Sequence, residues 1–549
     1  MTSGAAGATS DQVTRYLCGA ARMDERFADR VLHGLLAGDL RAVAPSVGFD
    51  LRPVLLHCLA ARRQRFLRDV VLTGAGLVAL FVAPLWTVLS LGLIAVFGGT
   101  ITRADRGTRP RAAAIGAAVV MVLIPVLFAV FITSAASAAD EEAAGSPGWL
   151  TGLPWLGLPI ILLMYGVVAW DLLSNRRVLV RDLARTRFRP EAAPSPREEW
   201  LTHVLATIDQ TQHGNATVYS GFNPFLGHGT PQKGWAFALP MWRRGRENPD
   251  DTVDVDVPEL IEHVRNRLRA IGPAGTEGEL SDRLDDLRLS DRVFVNGEAL
   301  GLQPRFLPCR DLPPRQNLAP EEIREIATQP SGIARHYLCA EVPSWGGEVV
   351  ASTFLHFSTD GRLLYLQCDR AVLGPVWRQY HDVDRLTETA AAGQIGRLLI
   401  RAAGKLVGTA LRAPAGVFRT DLWAWSYGRR LSRNRLLAQD DLGYDYGARF
   451  SVRQVAVDAR PHNYFQETDA GKHLKIVERH VLSAVLDFLG EHDVDTAEFA
   501  TRQMMILNQG IIQTGGVSNV GNQAVGSGAT ATQQGVVPPR PGSQETANA

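Results

Sequence analysis

The sequence contains little of what marks several common classes of protein. Its 549 residues include only five cysteines, and no two of them form a C-x-x-C pair, so we predict reduced thiols in the cytoplasm rather than a disulfide framework. The motifs H-E-x-x-H, G-x-S-x-G and G-x-G-x-x-G are absent, and Lys405 belongs to no P-loop because Leu406 stands where Ser or Thr is needed. These absences disfavour an enzyme without excluding one.

Metal ligands in the spacing that zinc sites use are also missing. His336 and Cys339 lie three residues apart on a predicted strand, and His356 and Cys368 lie on its neighbours. Zinc sites usually contain close pairs such as C-x₂₋₄-C or H-x₃₋₅-H, and these residues complete neither pattern. We therefore interpret the four residues as ordinary sheet side chains and predict neither a metal nor a cofactor.

Three long apolar runs are the strongest positive feature. They cover residues 70–101, 112–135 and 149–170, and none contains a charged side chain. A stretch of about 20 such residues spans the roughly 30 Å hydrocarbon core of a bilayer. Because the runs lack carboxylates, His and Arg, an anchor is favoured over a channel or carrier. We predict a multi-pass block over residues 70–172, the plasma membrane as its location and the lipid bilayer as its partner.

Arginines around these runs predict the topology. The flanks before residue 70, between residues 102 and 111 and after residue 172 are rich in Arg, whereas residues 136–148 contain no Lys or Arg. Positively charged short loops stay in the cytoplasm, so both termini are predicted to be cytoplasmic. Residues 70–101 must then begin and end on the same side, which predicts a helical hairpin or a re-entrant wedge; a single tilted span is the alternative.

The rest of the chain has the pattern of an α+β domain. Residues 258–271 and 464–490 carry apolar side chains at three- and four-residue steps, which predicts two amphipathic helices. Residues 336–342, 348–357 and 362–369 are rich in β-branched and aromatic residues and are joined by two tight turns, which predicts an antiparallel meander. The predicted fold class is a multi-pass α-helical membrane block plus a cytoplasmic α+β body with an antiparallel sheet. Five regions follow: an N-terminal cytoplasmic helical segment (1–69), the membrane block (70–172), a basic linker (173–200), the α+β domain (201–506) and a low-complexity, disordered tail (507–549).

A glycine-rich loop, residues 220–233, separates two predicted strands. Backbone N–H groups of such a loop can bind phosphate, so this is the first candidate site if the protein is a membrane-bound enzyme. Its glycines match neither the P-loop nor the dinucleotide-binding spacing. The favoured interpretation is a long hairpin loop held by its aromatics, which include Phe222 and Phe225.

A basic amphipathic helix is predicted over residues 394–412. Its four cations are Arg397, Arg401, Lys405 and Arg412. At 100° per residue they lie within about 80° of one another. Such a helix binds readily at a surface of anionic lipid headgroups; the alternative is a core helix whose long cations lie along one exposed edge. Because the basic residues of the chain concentrate beside the predicted membrane block, no nucleic-acid partner is expected.

The tail, from residue 508 onward, has no aromatic residue and only one Arg and one Glu. This composition favours disorder, because too little apolar surface can be buried to offset the ordering entropy. Ile511, Ile512 and Gln513 nonetheless belong to a low-charge stretch of Gly, Asn, Gln and β-branched residues, as in segments that form cross-β assemblies. The stretch is loosely similar to bacterial amyloid signalling motifs and makes self-assembly through the tail a second candidate interaction.

Several stretches resemble a known family. They are residues 335–339, 342–348, 445–453 and 506–516, and they are similar to an uncharacterised family of actinobacterial integral membrane proteins. The resemblance implies a bacterial plasma-membrane protein and supplies no activity or functional residues. The predicted function is a membrane-anchored cytoplasmic interaction or signalling module. The alternative is a membrane-bound enzyme with an unrecognised active site in the cytoplasmic domain.

Overall fold

The computed structural model describes residues 3–36, 38, 40–82, 87, 154–195, 199–245, 251–273, 283–329, 332–386 and 392–508. Residues 1–499 belong to one compact unit, and a second unit, 500–549, is described only over residues 500–508. The predicted second and most of the first apolar run, the loop 136–148 and nearly all of the predicted tail lie outside the described residues.

The helices of the described residues include several at the positions that the periodicity predicts. They are α1 (Ser3–Met23), α2 (Glu25–Leu36), α3 (Leu51–Val82), α4 (Pro154–Arg181), α5 (Glu199–Thr211), α6 (Val257–Ala270), α7 (Pro320–Thr328), α8 (Asp382–Arg385), α9 (Ala392–Asp440), α10 (Val452–Val455), α11 (Tyr464–Glu491) and α12 (Ala497–Asn508). Short 3₁₀ turns occupy Pro190–Ala192, Gly297–Leu302 and Arg378–His381.

The strands form one six-stranded sheet in the order β1-β3-β4-β5-β6-β2. They are β1 (Ala216–Tyr219), β2 (Thr230–Pro240), β3 (Arg288–Asn296), β4 (Ala334–Ser344), β5 (Val349–Thr359) and β6 (Leu363–Leu373). The predicted meander β4-β5-β6 is confirmed, with Leu338 opposite Leu355. The prediction of an antiparallel sheet is wrong, because β1 pairs with β3 in parallel. A parallel pair needs a long crossover, and the chain supplies it through β2 and α6.

One face of the sheet packs on α6 and α11. Helix α6 buries Leu260, Ile261, Val264 and Leu268, and α11 buries an apolar stripe that includes Val477 and Val481. Arg265 of α6 donates two hydrogen bonds to Asp291 of β3, and Trp235 of β2 donates one to Glu478 of α11. Both helical stripes are those that the three- and four-residue spacing predicts.

No helix in the part of the chain that the structure describes is long and apolar enough to cross a membrane. The predicted multi-pass membrane fold, its transmembrane helices and the predicted plasma-membrane location are therefore wrong. Helix α3 begins at Leu51 and passes through Arg62, Arg65 and Arg68 before its apolar part. Helix α4 continues its apolar part into a polar second half that ends at Arg181.

Some apolar side chains of α3 and α4 pack against other helices of the protein. Leu72 of α3, Ile161 and Met164 of α4 and Leu406 of α9 are buried together in one cluster. Arg68 of α3 forms an ion pair with Asp69 of the same helix and another with Asp171 of α4, and Gln64 of α3 donates a hydrogen bond to the Asp171 carboxylate. Part of the apolar surface of α3 and α4 is thus buried against other helices, whereas Leu77 and Phe81 of α3 and Leu163 of α4 are exposed.

Candidate functional site

The four predicted surface cations all lie on the first half of α9, and each is exposed. The opposite side of the helix buries Ala402, Ala403, Leu406 and Ala413 in a cluster with residues of α3 and α4. The helix therefore has one packed face and one face that presents cations, as the spacing predicts. We call Arg397, Arg401, Lys405 and Arg412 the cationic face of α9. Their role in lipid binding stays a prediction.

Large apolar side chains flank these cations. Leu411 is 73% exposed and Phe418 is 68% exposed. At 100° per residue the two lie at one edge of the cationic face. Arg419, one residue further, is exposed and pairs with Glu25 of α2 at 3.1 Å. The surface of α9 thus combines positive charge with exposed hydrocarbon, which a core helix with a purely polar outer face would not show.

A groove of about 1300 Å³ lies between α3, α4, α5 and α9. Its apolar lining includes Leu56, Leu59, Phe66, Leu67, Trp170 and Trp200. Arg62 and Arg63 of α3 also line it. Sequence reasoning did not find this groove, because its walls come from four segments that are distant in the chain. Apolar walls with a few charged groups are typical of sites for small amphipathic ligands.

The glycine-rich loop is not a hairpin loop, because β1 and β2 lie at opposite edges of the sheet. The loop crosses one sheet face, where Phe225 stacks on Phe354 with ring centroids 4.3 Å apart. Phe222 is fully exposed, so it does not hold the loop in place. A Cβ atom at Gly229 would lie 2.3 Å from the carbonyl oxygen of Val372, so this glycine permits close approach to β6.

Internal hydrogen bonds occupy several backbone groups of the same loop. The Phe225 N–H binds the Asn223 side chain, and Gln454 accepts from the Gly227 N–H while donating to the Gly229 carbonyl. A phosphate cradle needs such N–H groups to be directed at a ligand. The geometry therefore gives no support to this loop as a phosphate site.

The His and Cys residues of the meander do not converge. The strand register places His336 and Cys368 on one face of the sheet and Cys339 and His356 on the other. His336 binds Asp291 at 2.8 Å, and His356 binds the His336 carbonyl at 2.9 Å. Burial raises the pKa of Asp291, but the hydrogen bonds from His336 and Arg265 outweigh it and hold the pKa below its ordinary value. These residues act as structural partners within the sheet.

A family comparison covers most of the second half of the chain. The model for the AbeC-like domain matches residues 234–522, which is more than half of the 549 residues. The chain belongs to the AbeC-like family. No curated protein and no solved structure gave a significant match. The AbeC-like match supports the predicted membership of an uncharacterised family, whereas the predicted actinobacterial source stays a prediction.

The AbeC-like region contains strands β3–β6, helices α6–α12 and the whole cationic face of α9. It also contains a group that sequence reasoning missed: Glu348, His381 and His462, whose ligand atoms lie within 4.8 Å of one another. Local spacing could not reveal this group, because each residue comes from a different segment. The candidate assembly residues Ile511, Ile512 and Gln513 lie in the AbeC-like match but outside the described residues.

Proposed function

We propose that this AbeC-like protein is an interaction module whose partner is the surface of an anionic lipid bilayer, bound through the cationic face of α9. The observation that carries the proposal is the exposure of Arg397, Arg401, Lys405 and Arg412 along a helix whose other face is packed. No Asp or Glu interrupts the sequence between Glu388 and Asp421. Within α9, no acidic residue therefore separates the four cations.

Two physical terms favour binding. Each cation near an anionic surface contributes about 1 kcal/mol, and the attraction falls off within a Debye length, about 8 Å at physiological salt. Leu411 and Phe418 add exposed hydrocarbon that can enter the boundary between headgroups and acyl chains. The groove beside α9, with Arg62 and Arg63 among its lining residues, offers an apolar recess suited to an acyl chain. Helix α9 would bind parallel to the surface.

Vesicle sedimentation with the full-length chain tests the proposal. Vesicles that contain phosphatidylglycerol should bind the protein, vesicles of phosphatidylcholine alone should bind it weakly, and added salt should release it. The triple variant Arg397→Gln, Arg401→Gln, Lys405→Gln should bind about 100-fold more weakly, since about 3 kcal/mol of attraction is removed.

A matched control separates this face from the overall charge of the protein. Arg269→Gln, Arg324→Gln and Arg460→Gln remove three exposed cations from other parts of the fold and change the net charge by the same amount. The control should bind like the unmodified chain. Equal weakening in both triple variants, or no binding by the unmodified chain, would reject the proposal and leave α9 as a core helix with an exposed polar edge.

The other predicted roles have less support. Self-assembly through Ile511, Ile512 and Gln513 stays a prediction of the sequence. The enzyme alternative, with an unrecognised active site, stays a prediction; the loop 220–233 was its first candidate site, and the bound backbone groups and close glycine packing of that loop do not favour a phosphate site there.

A further inference from the structure

The group formed by Glu348, His381 and His462 shares no residue with the cationic face of α9. Glu348 ends the turn between β4 and β5, His381 ends the 3₁₀ turn after β6, and His462 lies two residues before the start of α11. The Nε2 atom of His381 lies 2.8 Å from a carboxylate oxygen of Glu348. The rings of His381 and His462 have centroids 5.1 Å apart.

The separations suit a single small cation. A tetrahedral ion with bonds of 2.0–2.1 Å to nitrogen and oxygen holds its ligand atoms about 3.3 Å apart. The three ligand atoms here lie within 4.8 Å of one another, and one pair is already at 2.8 Å. The spread of the three ligand atoms is therefore on the scale of the coordination sphere of one ion.

Surrounding residues hold the group in place. The fully buried Arg453 donates a 2.6 Å hydrogen bond to the Glu348 carbonyl and a second one to the Gly374 carbonyl. These bonds hold the β4–β5 turn in place. Asp458 lies 3.3 Å from Nε2 of His462 and can orient that ring. Carboxylates that orient ligating histidines in this way are common around metal sites.

The turn that carries Glu348 has an unusual backbone. Trp345, Gly346 and Gly347 have consecutive φ angles of 55°, 67° and 83°. Positive φ is uncommon for a residue as bulky as Trp, and Trp345 is held there by a hydrogen bond from its indole to Asp469 of α11. Strain of this kind is found more often at functional positions than elsewhere.

Neighbouring charges are compatible with a cation. Asp384 and Asp458 add two carboxylates to Glu348, while Arg15 and Arg453 are the guanidinium groups bound to the same network. Arg15 forms an ion pair with Asp384 at 2.6 Å, and the Tyr16 hydroxyl donates a hydrogen bond to the same carboxylate. Arg15 and Tyr16 therefore bind Asp384 and not the Glu348 carboxylate. The ring of Tyr16 packs against His381 at 4.4 Å.

We propose that Glu348, His381 and His462 form a binding site for a divalent transition-metal ion of the zinc type. Two imidazoles with one carboxylate favour Zn²⁺ and its neighbours over Mg²⁺ or Ca²⁺, which prefer oxygen ligands. Three protein ligands leave a coordination position open for water or another ligand, as in catalytic rather than structural zinc sites. The ion would also join the β4–β5 turn to the segment before α11.

Calorimetric titration of the full-length chain tests this site. The protein is stripped with a chelator and titrated with Zn²⁺, and Co²⁺ then reports the ligand set through its visible absorption. We expect one ion per chain. His462→Ala and Glu348→Gln should each weaken binding at least about 100-fold, since loss of a ligand costs no less than loss of a residue that orients one. His462→Cys, which restores a zinc ligand, should bind Zn²⁺ more tightly than His462→Ala.

Controls keep the outcomes distinct. His203→Ala with His213→Ala removes two exposed imidazoles elsewhere and should leave binding unchanged. His462 is only partly buried, so its Ala and Cys variants can be compared at equal circular dichroism and equal thermal unfolding in the absence of metal. A stripped chain that takes up no Zn²⁺, or a folded His462→Ala variant that binds as tightly as the unmodified chain, would overturn the proposal. Neither result bears on lipid binding, which involves other residues.

Discussion

His57 shows how strongly burial acts on single side chains in this protein. It lies on the packed side of α3 and is 4% exposed. Burial disfavours the charged ring, Arg22 adds a like charge, and together they lower the pKa from 6.5 to about 3. The folded protein therefore keeps His57 neutral at a pH where the unfolded chain would protonate it.

This predicts a pH dependence of stability. As the pH falls below 6.5, the unfolded state binds a proton at residue 57, whereas the folded state binds it only near pH 3. The free energy of unfolding therefore falls over that range. At pH 5 the loss from this residue is about 2 kcal/mol. Denaturant unfolding at pH 7.5 and at pH 5 measures this loss. The free energy of unfolding should fall between the two pH values by about 2 kcal/mol less in His57→Leu than in the unmodified chain.

The quantity to compare is the change in the free energy of unfolding between pH 7.5 and pH 5, because any packing cost of leucine is present at both pH values. His203→Leu, at an exposed position of α5, is the control and should leave the pH dependence as it is. If His57→Leu and the unmodified chain lose the same stability between pH 7.5 and pH 5, residue 57 is not kept neutral by the fold.

The candidate sites were only partly predictable at this scale. The cationic face of α9 was found because its four residues recur within one helix, where spacing alone fixes the side on which they lie. The group of Glu348, His381 and His462 was not found, because a turn, a 3₁₀ turn and a loop bring these residues together only in the folded chain. A search of the sequence for paired metal ligands detects only residues that lie close together along the chain.

At the scale of helices and strands, local periodicity predicted where helices lie, but it did not predict how the strands pair. Helix α11 is predicted over 464–490 and observed over Tyr464–Glu491. Helix α9 instead continues far beyond its predicted end at residue 412, to Asp440, with Pro414 inside it. Proline disfavours a helix interior locally, but the packing of α9 on α3 and α4 outweighs that preference. The partner of β1 was not predictable, because a neighbouring strand in sequence need not be a neighbour in the sheet.

The packed face of α9 yields a prediction with an internal control. Leu406 is fully buried among α3 and α4, whereas Leu411 on the same helix is 73% exposed. Leu406→Asp places an unpaired charge in an apolar cluster and should lower the free energy of unfolding by at least about 3 kcal/mol. Leu411→Asp should change it by no more than about 0.5 kcal/mol.

Thermal unfolding without lipid measures both variants. The two substitutions are chemically identical and only burial distinguishes them, so helix propensity cancels in the comparison. Similar destabilisation by both would mean that this part of α9 does not pack through Leu406 as described.

For the molecule as a whole, hydropathy identified apolar segments that the fold only partly buries, since Phe81 of α3 is 93% exposed and Leu163 of α4 is 54% exposed. Leu72, Ile161 and Met164 belong to the predicted membrane block and pack together with α9.

The residues before the AbeC-like match are joined to it by specific contacts. Tyr380 donates a hydrogen bond to Asp24, and Arg15 and Tyr16 bind Asp384. The N-terminal helices are therefore part of the same compact unit as most of the AbeC-like region.

The central claim is that the cationic face of α9 meets anionic lipid directly, and a fluorescent probe on that face tests it most directly. Cys309 is exposed and the other four cysteines are buried, so Cys309→Ser removes the accessible thiol. Gly408 lies among the four cations of α9, is exposed, and has no atom within 4 Å of an added Cβ, so Gly408→Cys can carry an environment-sensitive dye. Arg324→Cys, on α7, carries the same dye as a control.

We predict that phosphatidylglycerol vesicles shift the emission at position 408 to shorter wavelength, that salt reverses the shift, and that position 324 does not respond. Bound protein with no shift at position 408, or with equal shifts at both positions, would contradict the account.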